Sequence, residues 1–287
     1  MTAASARCRR IAMAATAALM PAFVPAAAAA DPPPQRVVSI NLCTDQLAML
    51  MAAPGQLRSV SFLAGEEGTS VMVEEAAQYR PNSGQAEEIF LMQPDLVLAG
   101  TYTAKATVVL LRELGFRVEQ FTPAASFDDV RENLTRMGRL LHREQRAGEL
   151  VAELDKGLAD LAARHPPART VAIYYANSYT SGSGTLADAI VQAAGLVNLG
   201  DTLGFKGMTR LPLELLISAN PDIILEGDSQ YSAPALAKAN FSHPAFRALS
   251  DRAIAIPDKY TICGAPFTLE ASRMLQRAAL GERSETP

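Results

Sequence analysis

The chain has 287 residues, a formal charge of −4, 49% hydrophobic residues and three cysteines, enough for a sizeable core and for two lobes of ordinary domain size. It contains no run of Lys or Arg that could follow a phosphate backbone, so nucleic acid is not an expected partner.

The first thirty residues read as an export signal. Arg7, Arg9 and Arg10 form a basic start, the apolar run IAMAATAALMPAFV follows, and small residues lead to Asp31 in the pattern a signal peptidase accepts. The run is shorter than the roughly 20 residues a spanning helix needs. Cys8 precedes it and is therefore no lipoprotein cysteine. The expected mature chain is exported to the periplasm. Losing this segment leaves 23 basic against 30 acidic residues, a balance of −7, and two cysteines, Cys43 and Cys263.

Next, RVVSIN (36–41) predicts a strand and TDQLAMLMAA a helix stopped by Pro54-Gly55. RSVSF (58–62) predicts a second strand. AEEIFLMQ is a helical turn closed by Pro94, followed by the strand DLVLAG. The helix TAKATVVLLRELG, with Gly115 as its C′ residue, and the strand FRVEQF complete the first half. Apolar strands alternating with helices predict a parallel sheet covered on both faces.

Residues 126–165 depart from this rhythm. Ser126 and Asp129 offer a capping box, and an apolar stripe runs through Val130, Leu134, Met137 and Leu141. It lapses through HREQRAGE and resumes at Leu150, Leu154, Leu158 and Leu161, which predicts two helices or one broken helix. From Arg169 the alternation returns, with strand RTVAIYYAN, helix TLADAIVQAAG, helical turn LELLISAN and strand PDIILEG. HPAFRALS, RAIAIP and the helix TLEASRMLQRAAL close the chain. The expected division is a signal at 1–30, an α/β lobe at 31–142, a connecting helix at 143–167 and a second α/β lobe at 168–287.

Two segments match. AEEIFLMQPDLVLAG places Glu87 seven residues before Pro94-Asp95, and LELLISANPDIILEG places Glu214 seven before Pro221-Asp222. The halves therefore read as two copies of one plan. Open α/β sheets bind ligands beyond the carboxyl ends of their strands, so two facing sheets would line a shared cleft. The expected cleft loops are 41–45, 63–85 and 100–105 in the first half, and 176–185, 227–232 and 258–267 in the second.

The ordered set of RVVSINLCTDQLAML, the two Glu-to-Pro-Asp blocks, the central helix and YTSGSGTLADAIVQAAGLVNL resembles the class III periplasmic substrate-binding proteins of ABC importers, the group that binds cobalamin, ferric siderophores and haem. The resemblance implies two Rossmann-like α/β lobes with central parallel sheets, joined by a single long helix, with the ligand cleft between them and only small opening motions. It implies a monomer that hands a small metal chelate to a permease dimer in the inner membrane, with no cofactor beyond iron or cobalt in the ligand. It also assigns Glu87 and Glu214 to two arginine patches on that permease. Such rim charges set encounter and register more than affinity. The plainer reading is two solvated acids in a first helical turn.

The ligand itself is less legible. Only His142, His165 and His243 exist, all on or beside predicted helices, which argues against a bare transition-metal site. The expected ligand-contacting residues are Asn41, Cys43, Thr44, Tyr102, Tyr179, Lys206, Arg210, Tyr260, Cys263 and Phe267, with Tyr231 a further aromatic candidate. Cys43 and Cys263 each follow a predicted strand, one per lobe, and three readings stay open: a disulfide across the cleft, paired thiols on a soft metal, or two unrelated cysteines. No phosphate-loop or nucleophile-elbow motif is present, and no base–nucleophile pair can be assembled, so an enzyme is not expected. The rival reading is a periplasmic enzyme or metallochaperone built on the same bilobal fold.

Overall fold

A computed structural model describes residues 32–227, 237 and 239–282. The expected signal segment and Tyr231 lie outside the described residues.

The first half contains β1 (Val37–Ser39), α1 (Leu42–Met51), β2 (Leu57–Ser61), α2 (Val73–Ala76), β3 (Arg80–Asn82), α3 (Ala86–Met92), β4 (Leu96–Gly100), α4 (Lys105–Glu113) and β5 (Val118–Phe121). Its five strands form one parallel sheet in the order β3-β2-β1-β4-β5. Two helices follow, α5 (Phe127–Leu141) and α6 (Glu144–Ala162). The second half contains β6 (Thr170–Tyr174), β7 (Tyr179–Ser181), α7 (Leu186–Ala193), β8 (Val197–Asn198), α8 (Leu199–Thr202), β9 (Met208–Arg210), α9 (Leu213–Ala219), β10 (Ile223–Gly227), α10 (Ala239–Ser242), α11 (Pro244–Arg247), β11 (Ala253–Ile256) and α12 (Leu269–Leu280). Its main sheet is parallel in the order β11-β10-β6-β8, and β7 and β9 make a separate antiparallel pair. The α/β class with two parallel sheets is as expected. The segment 63–85, expected as one loop, instead supplies α2 and the edge strand β3.

Alternation along the strands explains the layering. Val37, Leu96 and Leu98 face a central core with Val171, Ile173 and Leu225. Their neighbours Val38, Val97 and Ala99 turn to an outer core under α3 and α4. Ala172, Tyr174 and Ile224 turn likewise to an outer core in the second lobe. The central core is continuous from one lobe to the other, because α5, α6 and α12 contribute Leu134, Leu150, Leu154 and Leu275 to it.

The central helices break at His142, which sits at φ 55 as the C-cap of α5. Gly138 permits the turn, since a Cβ there would lie 2.4 Å from the Ala147 Cβ. Helix α6, at 19 residues, runs about 28 Å. Ser126 caps α5 by accepting from Asp129 N at 3.1 Å, while the Asp129 carboxylate accepts from Ala125 N rather than closing the box on Ser126.

The two Pro-Asp blocks are true structural copies. Helices α3 and α9 have seven residues each and end in left-handed residues, Gln93 (φ 47) and Asn220 (φ 49). Asp95 N donates to Arg36 O and Asp222 N to Thr170 O. The Asp95 carboxylate then accepts from Gln35 N and Arg36 N, each at 2.9 Å, and the Asp222 carboxylate from Thr170 N at 2.8 Å. Each aspartate thus latches the start of its own strand to the start of the lobe's central strand.

Candidate functional site

In the order β3-β2-β1-β4-β5 the winding direction reverses between β1 and β4, and the crevice beyond the carboxyl ends at such a switch point is the ligand position of open α/β sheets. Asn41 leaves β1 there and caps α1, its side chain accepting from Cys43 N and Thr44 N. Gly100 ends β4 beside it. A Cβ on Gly100 would lie 2.9 Å from Asn41 Nδ2, so the Asn41 side chain packs directly over the bare Gly100 backbone. The Thr44 hydroxyl donates to Asn41 O at 3.0 Å and pairs with the Ser39 hydroxyl at 2.8 Å.

From this corner Cys43 reaches the second lobe. It is joined to Cys263 by a disulfide spanning 220 residues, with the Cα atoms 5.2 Å apart. Of the three readings of this pair, the structure adopts the cross-cleft disulfide, which leaves no thiol to contact a soft metal. Cys263 is buried, and its carbonyl accepts from the Thr268 hydroxyl at 2.9 Å. The next residue fits only as glycine, because a Cβ on Gly264 would lie 2.4 Å from the Ala124 Cβ and 3.0 Å from Val130 Cγ2. The 262–264 loop of the second lobe therefore lies directly on the β5–α5 junction of the first.

A cavity of about 170 Å³ opens at this junction, with Asn41, Cys43, Thr44 and Tyr102 on one side and Ile262 and Gly264 on the other. A second, of about 360 Å³, adjoins it around Tyr175, Ala187, Asp258 and Thr261. Ile262 belongs to both and is 45% exposed, so it forms a partition between them. Burial, with the nearby charge of Asp258 adding to it, pushes the Tyr175 phenol above its ordinary range, against a hydrogen bond with Ser181.

Not every expected ligand residue gathers here. Tyr102 is 87% exposed at the cavity mouth. Tyr260 and Phe267 are partly buried against the central core, and the Lys259 ammonium lies 5.5 Å from the Tyr260 ring centroid. Tyr179 lies under the Arg210 guanidinium at 5.6 Å, and Arg210 lines a different depression, with Glu214, Asn240 and His243. Lys206 is exposed and bridges to Ser183 through its backbone. The pair Tyr179 and Arg210, with Lys206, thus belongs to the β7–β9 side of the second lobe and lines neither cavity at the cystine.

Glu87 and Glu214 occupy equivalent places. A crossover helix in a parallel sheet runs opposite to its strands, so the first turns of α3 and α9 lie toward the strands' carboxyl edges. Both glutamates are exposed there. The adjacent Glu88 is committed elsewhere, accepting from Ser83 N and Ser83 Oγ, each at 2.8 Å, which lowers its pKa.

Sequence reading missed the polar layer beneath α1. Asp45, fully buried, accepts a very short hydrogen bond from the Ser61 hydroxyl, and its Oδ1 has no partner among the described residues. Desolvation outweighs the bonds from Ser39 and Ser61 and raises its pKa to about 7. It also outweighs the favourable dipole of the first turn. A lone acid in a helical first turn carries no sequence signal of burial. Among the described residues no three His, Cys, Asp or Glu side chains converge as a cation site, and no helix is long and apolar enough to cross a membrane.

Comparison with known proteins places this geometry. A cobalamin-binding protein of Halobacterium salinarum is 29% identical over 214 residues, 73% of this chain, and the match spans 58% of that relative's length. A vitamin B12 binding protein of Vibrio cholerae, BtuF, superposes with a TM-score of 0.64 at 16% identity, covering 88% of this chain and 99% of that one. The haem-binding protein RhuT of Roseiflexus gives 0.69 at 22% identity, with 86% and 98% covered. At these identities the structures establish the fold alone. The family model for periplasmic binding proteins matches residues 37–249, well over half of the sequence. The chain belongs to the periplasmic binding protein family.

Proposed function

We propose that the chain is the exported, monomeric solute-binding component of an ABC importer, which captures a metal chelate between its lobes and delivers it to a permease dimer in the inner membrane. The observation that carries this reading is the duplicated rim. Two parallel sheets present their carboxyl edges to one cleft, and each edge carries one exposed glutamate, Glu87 or Glu214, in the first turn of a seven-residue helix. Two acids fixed on separate lobes read the position of both lobes against two basic patches, the arrangement a two-fold permease offers.

Support for a chelate comes from the relatives, whose names mention cobalamin, vitamin B12, haem and, in a Saccharomonospora viridis structure, Fe3+-hydroxamate. Iron or cobalt then arrives inside the ligand. The cleft-end loops suit a ligand with a large apolar surface: Phe62 is 53% and Tyr102 87% exposed, and Tyr102 shares its cavity with Ile262.

The test is uptake of labelled chelate by cells carrying the cognate permease, alongside solution binding to the purified protein. Glu87→Arg with Glu214→Arg is expected to reduce uptake to background while leaving chelate affinity within twofold. Unchanged uptake would refute the docking role, and lost affinity would move these residues into the cleft.

A further inference from the structure

We propose that the small chamber closed by the Cys43–Cys263 bridge is a subsite for one uncharged arm of the cargo, such as a carboxamide, and that it rejects the carboxylate form of the same arm. The proposal rests on the reading that the cleft takes a metal chelate.

Size comes first. The chamber, at about 170 Å³, has about half the volume of the space of about 360 Å³ that adjoins it across Ile262. It is therefore the place for an arm rather than the body of a ligand, and a ligand that enters both must straddle that side chain.

Charge is the second argument. No residue lining the chamber carries a formal charge. The aromatic wall Phe121 has the Arg136 guanidinium over its ring at 4.3 Å. That cation is already committed to Glu119 at 3.0 Å and to Gln120 O at 2.7 Å. Across the partition, Asp258 adds negative charge to the neighbouring space. A carboxylate entering the chamber would lose its water and meet no cation, which strongly disfavours it. A neutral amide meets groups able to pair with it. Asn133 Nδ2 donates to Thr122 O at 3.2 Å, which leaves Asn133 Oδ1 as an acceptor for an amide N–H.

The third argument is construction. The chamber has walls from both lobes, and the wall from the second lobe is Ile262 and Gly264, on either side of the bridged Cys263. Gly264 seats on Ala124 with no room for a Cβ. The bridge therefore fixes the distance between two halves of one binding surface, and the subsite exists before any ligand arrives.

The experiment is calorimetric titration of the intact oxidised protein with matched probes. One set is cyanocobalamin and each of its monocarboxylates, made by hydrolysing a single peripheral amide. The other is haemin and its dimethyl ester. Wild type is expected to bind the neutral form at least tenfold more tightly than at least one charged counterpart. Asn133→Lys, on the partly exposed face of α5, is expected to abolish or invert that preference. Cys43→Ser with Cys263→Ser is expected to level it by loosening the second-lobe wall. Equal affinity for all arms in wild type, or an unchanged ratio in Asn133→Lys, would overturn the subsite while leaving the chelate reading intact. If neither scaffold binds wild type, the subsite proposal falls, and a titration with a ferric hydroxamate then decides the chelate reading by itself.

Discussion

Asp45→Asn tests the buried polar layer under α1 most directly. The carboxyl titrates near 3.8 in an unfolded chain and near 7 in the folded protein. A raised acid pKa means that the folded state holds the proton more tightly. The resulting stabilisation is complete below pH 3.8 and is lost as pH rises to about 7. Each tenfold gain in proton affinity is worth about 1.4 kcal/mol, so the total is about 4 kcal/mol, of which about 2 kcal/mol disappears between pH 5 and 7. Asparagine is nearly isosteric, keeps an oxygen for the Ser61 hydroxyl and does not titrate. Urea denaturation of both proteins at pH 5, 6, 7 and 8 isolates the effect, since every other titrating group cancels in the comparison. Asp45→Asn is expected to gain on wild type by about 2 kcal/mol from pH 5 to 7 and to run parallel above pH 8. Parallel curves over the whole range would mean that the folded-state pKa is not raised and that water reaches the carboxylate.

Two further outcomes follow from the latches and the bridge. Asp95→Ala removes two backbone hydrogen bonds and Asp222→Ala one. At about 1.5 kcal/mol or more for each bond to a charged acceptor, Asp95→Ala should cost roughly twice as much in denaturant titrations, and equal costs would contradict the latch model. Oxidised protein denatured in guanidinium should show no thiol reactive beyond residue 30, and Cys43→Ser with Cys263→Ser should lose about 2–5 kcal/mol of stability, given a loop of 220 residues. Two reactive thiols in that assay would refute the bridge.

Much of the architecture was legible because it is written in local chemistry. Pro94 and Pro221 stop helices, strand residues alternate between two apolar layers, and Gly115 at φ 87 ends α4 as a C′ glycine. The matched glutamates were readable for the same reason, since position along a repeat is a one-dimensional fact. What escaped is what depends on contacts distant in sequence. Strand β3 is only three residues, contains Pro81 and earns its place by pairing with β2. The β7–β9 pair joins Tyr179–Ser181, which read as loop, to Met208–Arg210, where the sequence carries no strand pattern of its own. Tyr260 and Phe267 read as cleft aromatics because their loops follow strands, but nothing in the sequence signals that both rings also pack in part against the central core. The burial of Asp45 exists only once α1 has packed over Ser39 and Ser61, and the fit of Gly264 against Ala124 only once the lobes have met.

The Cys43–Cys263 bridge has a further consequence for how the protein is made. Its first sulfur enters with the opening helix of the fold and its second near the close. Beyond residue 30 there is no third cysteine to pair with. The bond therefore has one permitted partner, and no mispaired form exists to be corrected. Once closed, it ties the opening helix of the fold to a loop near its close, so the two ends cannot part at that point without reduction.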